Sequence, residues 1–273
     1  MHAPEYDYSR VMSSTDPAPV LARELDVATA AARAAGAIQL ERYERLEHIV
    51  HKNMKDVVTE VDHLSEEVIL AAIGQAFPED RFLAEESGVS GPQSSRVWVI
   101  DPLDGTVNYA NGIPFFAVSI GLAIDGEPVL GVVVDPSRGE LFSAIRGEGA
   151  FLDGSPIRNP GKPRLIDAVV HLKLPRSGFE RQQNAYRAAV RATRFMGSAT
   201  LGLTYVANGR FDAFVQWRGL SAWDVCAAGV IASEGGAVLS SPTGKAWFKA
   251  GTRTRGLVAA TAEHHSTYLE MLA

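Results

Sequence analysis

Two carboxylates three residues apart, Asp101 and Asp104, close an uninterrupted apolar run, Val97-Trp98-Val99-Ile100, and are followed at once by Gly105 and Thr106. Carboxylates are hard oxygen donors of the kind that magnesium prefers. Small residues just beyond them let backbone N–H groups come close to an anion such as phosphate. The segment therefore points to metal-assisted chemistry on a phosphorylated molecule. Each piece alone has an ordinary meaning, since Asp-Pro and Asp-Gly are common turn dipeptides.

Other acids stand at comparable places. Asp62 precedes a helical pattern (Leu64, Val68, Ile69, Ala72, Ile73) and alone reads as an N-cap. Glu85 and Glu86 end a short strand, Arg81 to Ala84, and alone read as an exposed acidic turn. Asp224 opens a helix from Val225 to Ser233 and can equally be a cap. Glu85, Asp101, Asp104 and Asp224 share one trait: each can point out of the scaffold from a strand end or a helix start. Gathered in one cavity they would repel by several kcal/mol unless cations balanced them. Periodicity does not show whether they gather.

The elements that must position these residues follow from the apolar patterning. Val97 to Ile100 reads as a strand covered on both faces, which Asp101 stops and Pro102 keeps from continuing. A long amphipathic helix is expected from Val20 to about Glu47, with Leu21, Leu25, Ala28, Ala32, Ala35 and Gln39 on its packed side. A second helix runs on from Asp62 and closes before Pro78. Phe115 to Ile124 and Pro128 to Asp135 form a hairpin about Asp125-Gly126. Glu140 to Ile145 and Gly149 to Leu152 extend it as an antiparallel meander. Beyond it come a strand from Leu165 to Leu172 and a helix from Phe179 to Arg191. Ser198 then caps a helix that ends at Asn208-Gly209, and Phe211 to Trp217 is strand-like. Val238-Leu239, Ala246 to Phe248 and Leu257 to Ala260 are closing strands. Residues 1–19, polar and Pro-containing, read as a loose arm.

With 273 residues the chain has ample material for a core, and 46% hydrophobic and 21% charged residues suit a globular protein. A net charge of −6 argues against nucleic acid as the main partner. It also makes a phosphate site paradoxical unless a bound cation reverses the local sign. The lone cysteine, Cys226, excludes an internal disulfide and a cysteine-based zinc site, and fits the cytoplasm. It reads as a small buried hydrophobe rather than a redox thiol. The seven histidines show no metal-ligand spacing, and His264-His265 reads as surface. Neither a membrane-spanning run nor a signal peptide is expected.

Five blocks, taken together, resemble the inositol monophosphatase family: Lys52…Asp56-Val57-Val58-Thr59-x-x-Asp62; Ala84-Glu85-Glu86-Ser87; Trp98 to Asn108; Gly197-Ser198-Ala199; and Trp223-Asp224-Val225-Cys226-Ala227-Ala228-Gly229. They fall in the family's order and span residues from about Lys52 to Gly236. The resemblance implies a layered αβαβα sandwich, mixed α/β or α+β in class, as one catalytic domain over 20–273. Its first half would run to about 155 and its second start at about 163. It also implies a magnesium-dependent, lithium-sensitive phosphomonoesterase with two to three Mg2+ ions. Glu85, Asp101 and the Leu103 carbonyl would hold the first ion, and Asp101, Asp104 and Asp224 the second; a third would lean on Glu85 through waters. Thr106 would orient the attacking water and donate to Asp62, with Glu86 supporting the shell. Gly105 and Thr106 N–H groups would hold phosphate, and Asp104, Ser198, Ala199, Gln216 and Asp224 would meet the rest of the substrate. Gln216 departs from the Glu usual in animal members, so inositol 1-phosphate competes with histidinol phosphate, fructose 1,6-bisphosphate and an adenosine bisphosphate. A homodimer is common in the family. A regulatory, partner-binding protein that keeps the fold is the rival class.

Overall fold

The protein was analysed as a computed structural model, which describes residues 21–45, 49–53, 56–175, 177–248 and 256–273, with the backbone alone for 49–53, 56 and 57. The expected arm at 1–19 lies outside the described residues. Two helices, α1 (Ala22–Arg42) and α2 (Glu60–Ala76), are bridged by a hairpin of β1 (Ile49–Asn53) and β2 (Asp56–Thr59). The expected first helix is shorter than its Ala-rich composition suggested. Tyr43 turns extended and Glu44 adopts a positive φ of 60°, which ends the helical turn.

The first sheet has eight strands: β3 (Arg81–Ala84), β4 (Gly88–Ser90), β5 (Arg96–Asp104), β6 (Ala117–Ile124), β7 (Glu127–Asp135), β8 (Glu140–Ile145), β9 (Gly149–Leu152) and β10 (Ser155–Ile157). Their order is β10-β9-β8-β7-β6-β5-β3-β4, antiparallel except between β3 and β5. The second sheet holds β11 (Val169–Lys173), β12 (Ala192–Arg194), β13 (Ala213–Gln216), β14 (Ala237–Ser240) and β15 (Leu257–Thr261), ordered β12-β11-β13-β15-β14. Its first three strands are parallel. The remaining helices are α3 (Thr106–Ala110), α4 (Glu180–Ala189), α5 (Ala199–Thr204), α6 (Ala222–Glu234) and α7 (His265–Glu270).

The strand alternation sorts these pieces into five layers, an α+β sandwich of αβαβα type. On β6 and β7, Val118, Ile120, Val132 and Val134 face α1 and α2, while Ala117 and Val133 face α5 and α6. On β13, Phe214 faces the same two helices, while Ala213 and Val215 face Tyr186 of α4 and Tyr268 of α7. The order is thus α1/α2, first sheet, α5/α6, second sheet, α4/α7. Period-two burial on both faces is what fixes each strand's register.

Two facing glycines set the depth of α6. Gly121 and Gly131 pair across β6 and β7, and a Cβ on either would strike α6, at 2.6 Å from Cys226 Sγ and 2.8 Å from Ala227 Cα respectively. Helix and sheet therefore meet with the Ala227 backbone and the Cys226 side chain laid directly on the two glycines, which packs the helix start beside the end of β5. Cys226 is fully buried in this contact and its thiol pKa is pushed far up, so it is the inert small hydrophobe the sequence suggested.

Four other expectations need correction. β5 does not stop at Asp101; the ladder resumes at Asp104, opposite Ala117, after a bulge that takes up Pro102 and its missing donor. The strand expected from Leu165 begins only at Val169, because the N–H groups of Asp167 and Ala168 close a tight turn onto Arg164 and Leu165. Ala246 to Phe248 is not a strand: Ser241 and Lys245 bond each other in a turn, and the Trp247 ring lies on Gly229. His265 is buried with Nε2 3.1 Å from Ser240 Oγ, since α7 docks on β15 rather than standing in solvent.

Candidate metal centre

The bulge in β5 builds the first wall of the site. It turns Asp101 and Asp104 to one side, and the Leu103 N–H donates to Asp101 Oδ1 at 3.1 Å. Gln39 of α1 secures the bulge from behind by donating to the Pro102 carbonyl at 2.7 Å. Gly105 then caps α3 at φ +92°, where a Cβ would lie 3.0 Å from the Phe115 carbonyl. No larger residue suits that turn.

Asp62 and Asp224 reach the site by the same device. Neither is an N-cap. Each is the third residue of its helix, with its carboxylate turned back to the cap: Asp62 Oδ2 accepts from Thr59 N–H at 2.8 Å, and Asp224 Oδ2 from Ser221 N–H at 2.6 Å. The capping box leaves the second oxygen of each acid available. Asp62 Oδ1 lies 3.1 Å from Thr106 Oγ1, which is also 2.9 Å from the Leu103 carbonyl. Glu85 follows β3, and its turn is held by Glu66 of α2, whose carboxylate accepts from the N–H groups of Glu86 and Ser87 at 2.9 Å each.

Asp101, Asp104 and Asp224 each offer a carboxylate oxygen within 4.8 Å of the others. Asp101 is 1% exposed and its pKa is driven well above the carboxylate range, first by burial and then by Glu85, Asp104 and Asp224; Glu85 also hydrogen-bonds it. Burial raises Asp224 too, with Asp104 adding to the shift and the Ser221 N–H and Lys173 opposing it. Asp104 is raised by burial against bonds from the Ser198 hydroxyl and the Thr200 N–H. Burial likewise takes Asp62 up to about 6. Acids that hold their protons this hard are a site built for positive charge. An all-oxygen donor set fits a hard divalent cation, with Leu103 contributing a carbonyl.

These groups line an open cavity of about 350 Å3. Glu85, Asp101, Leu103, Asp104, Gly105, Thr106, Ala199, Gln216 and Asp224 all face it. Ser198 stands differently from the expectation: it is fully buried, its hydroxyl donates to Asp104 and accepts from Leu201 N–H, and it is absent from the lining. Asp62 likewise stands behind Thr106. The sequence reading gave no role to Asn108, which donates to the Phe115 and Met196 carbonyls at 2.8 and 2.7 Å and so clamps α3 to the Gly197 turn. Its place in the Asp-Gly-Thr segment was the available signal. Lys173, Val107 and Phe195 also line the cavity unforeseen. Val107 shares the Asp-Gly-Thr segment with Asn108, while nothing in the local pattern marks Lys173 or Phe195.

A layered α+β fold whose cavity gathers carboxylates suits a hard divalent cation, and the known proteins that the chain resembles are phosphatases. The profile of the inositol monophosphatase family matches residues 21–273. The chain is 38% identical over 251 residues to inositol monophosphatase 3 of Solanum lycopersicum, covering 88% of this chain and 92% of the relative. It is 41% identical over 233 residues to Nus factor SuhB of Pseudomonas aeruginosa, covering 81% and 86%. The crystal structure of the extragenic suppressor protein suhB from Bartonella henselae superposes with a TM-score of 0.86 at 32% identity, covering 92% of this chain and 98% of that one. The chain belongs to the inositol monophosphatase family, whose members are phosphomonoester hydrolases. Among the described residues no helix is long and apolar enough to cross a membrane.

Proposed function

We propose that the protein hydrolyses a small phosphomonoester of a polyhydroxy alcohol to the alcohol and inorganic phosphate, with Mg2+ as its cofactor and inositol 1-phosphate as the first substrate to test. The observation that carries this reading is the meeting of Asp101, Asp104 and Asp224 within 4.8 Å, with Glu85 bonded to Asp101. Glu85, Asp101 and the Leu103 carbonyl would hold one ion, and Asp101, Asp104 and Asp224 another. Bound there, the ions would lower the pKa of a water and neutralise charge on the phosphate and leaving oxygen.

The chain's own residues supply the proton path. Thr106 has one hydroxyl hydrogen and two acceptors in reach, Asp62 Oδ1 and the Leu103 carbonyl. Given to Asp62, that hydrogen leaves Thr106 Oγ1 free to accept from a water in the cavity. The water's proton then passes to Thr106 as Thr106's own passes to Asp62, and the hydroxide forms its bond to phosphorus as the bond to the ester oxygen breaks in line. The departing alkoxide takes a proton from water in the open cavity, and Asp62 returns its proton to solvent. Gly105 and Thr106 N–H groups take phosphate oxygens, and Ala199 and Gln216 border the alcohol. Ser198 acts through Asp104, which its hydroxyl orients.

Phosphate release measured with and without Mg2+ tests this, using inositol, histidinol, fructose and adenosine esters. Magnesium-dependent turnover supports the reading; none with any ester overturns it. Lithium inhibition, a homodimer and a cytoplasmic location belong to the same proposal and follow from lithium titration, light scattering and cell fractionation. The regulatory alternative draws on the name Nus factor SuhB, which several relatives carry, and an intact set of acids weighs against it.

A further inference from the structure

Gln39 is an exception on the buried face of α1. The other buried residues of that helix are alanine and glycine (Ala28, Ala31, Ala32, Ala35 and Gly36), small side chains that pack closely against the first sheet. Gln39 is long, polar and 0% exposed, and its Oε1 is buried with no partner. An unpaired buried acceptor is a cost that an apolar side chain of the same length would not carry. Departures of this kind are expected where a function offsets them.

What the amide holds is a single peptide plane in the metal centre. The Pro102–Leu103 peptide is gripped at both edges: its carbonyl accepts from Gln39 Nε2 at 2.7 Å, and its N–H donates to Asp101 Oδ1 at 3.1 Å. Because the peptide unit is planar, fixing the carbonyl also fixes the direction of the N–H. The bulge takes this plane out of the ladder, which pairs Asp101 with Ser119 and resumes only at Asp104 with Ala117. Gln39, 63 residues away in sequence, stands in for the missing strand partner of the Pro102 carbonyl. The next carbonyl along the chain is that of Leu103, which Thr106 Oγ1 meets at 2.9 Å. Gln39 also binds the far end of this segment. Its own carbonyl, one of the last four in α1 and so spare, accepts from the Tyr109 hydroxyl at 2.7 Å. One residue of α1 therefore grips both ends of the stretch that carries Leu103, Asp104, Gly105 and Thr106.

We propose that Gln39 is a positioning residue for magnesium: by holding the Pro102–Leu103 plane it keeps the Leu103 N–H on Asp101, and so keeps the Asp101 carboxylate and the Leu103 carbonyl arranged to hold one ion. It touches neither ion nor ester. Without the Gln39 donor the plane is free to turn, the Leu103 N–H leaves Asp101, and the two ligands no longer converge. Partners that orient ligands in this way typically govern metal affinity by about 10–100-fold. The inference rests on the magnesium reading above and adds to it what sets the strength of binding.

Gln39→Leu and Gln39→Met, which keep the length of the side chain without its donor, test the proposal beside the wild type. Calorimetric titration of the metal-free proteins with Mg2+ should give a dissociation constant raised about tenfold or more in both variants. Amide exchange without metal should quicken at Leu103, whose N–H loses Asp101, and stay unchanged in the interior of β7. The melting temperature without metal should stay within about 4 °C of wild type, because loss of the Pro102 bond is offset by removal of the unpaired Oε1. With inositol 1-phosphate, the Mg2+ concentration for half-maximal activity should rise with the dissociation constant. At saturating Mg2+, kcat and KM should hold within about threefold. Unchanged Mg2+ affinity in the variants overturns the proposal. So does a larger fall in melting temperature, or failure to fold, in both variants, which would make Gln39 a strut of the bulge. A wild type that binds no Mg2+ overturns the magnesium reading and this proposal with it, a result distinct from equal binding by wild type and variants.

Discussion

Asp101 is under electrostatic strain: it is buried, bonded to Glu85 and faced by Asp104 and Asp224. Replacing it should therefore push function and stability in opposite directions. Asp101→Asn removes a ligand shared by both ion positions and should lower kcat/KM by at least ~100-fold, beyond the usual effect of a supporting residue. In EDTA at neutral pH the same variant should melt higher than wild type, by about 2–4 °C for each kcal/mol of repulsion relieved. Loss of both activity and stability would make Asp101 a structural strut instead. Asp62 gives a pH signature. Its folded pKa of about 6 lies above the ordinary 3.8, so the folded state binds its proton more tightly. Its contribution to stability is thus full in acid and lost as pH rises through about 6. The relay needs Asp62 unprotonated, so kcat/KM should fall below about pH 6, and Asp62→Asn should remove that limb from the profile. The pairing of Asp101 with Asp104 was legible in the sequence, since strand end and spacing are local. The third-residue placement of Asp62 and Asp224 was not, because Thr59 and Ser221 compete with them as caps, and an Asp stands where such boxes more often carry Glu or Gln.

At the scale of elements, the glycine pair under α6 holds Asp224 at its distance from Asp104. Gly131→Ala would drive a methyl into Ala227 and should cost about 1–3 kcal/mol, the usual range for overpacking. It should also weaken magnesium activation, since α6 must shift. Gly126→Ala, in the hairpin turn with nothing within 4 Å, is the control: some backbone strain from φ +84°, with activation by magnesium unchanged. Melting curves with and without Mg2+ check both. Equal effects of the two substitutions would remove α6 depth from the explanation of the site. The strands and main helices were readable from period-two and helical patterning because each buries its own apolar face. Bulge, turn and docking details were not: Pro102 is absorbed by a bulge, Trp247 lays its ring on Gly229, and His265 is buried by a docking event. Each of those outcomes is decided by a distant partner.

Across the whole molecule, α5 and α6 pack against both sheets, so neither sheet can be exposed without uncovering the core of the other. We therefore expect one cooperative unfolding transition for residues 20–273, with calorimetric and van't Hoff enthalpies in a ratio of about one. Two resolved transitions would divide the chain between 155 and 163. The convergence of Glu85, Asp101, Asp104 and Asp224 belongs to this scale as well. Local pattern could place each acid at an element's end, but their meeting depends on sheet order and on the seat of α6, and only the family resemblance anticipated it. The most direct measurement is calorimetric titration of the metal-free protein with Mg2+ at pH 7 in two buffers of different ionisation enthalpy. Binding that releases protons, because raised acids must give them up to become ligands, is the expected result. It should be accompanied by a higher melting temperature and be lost in Asp101→Asn. No binding, or binding that persists unchanged in Asp101→Asn, contradicts the metal centre.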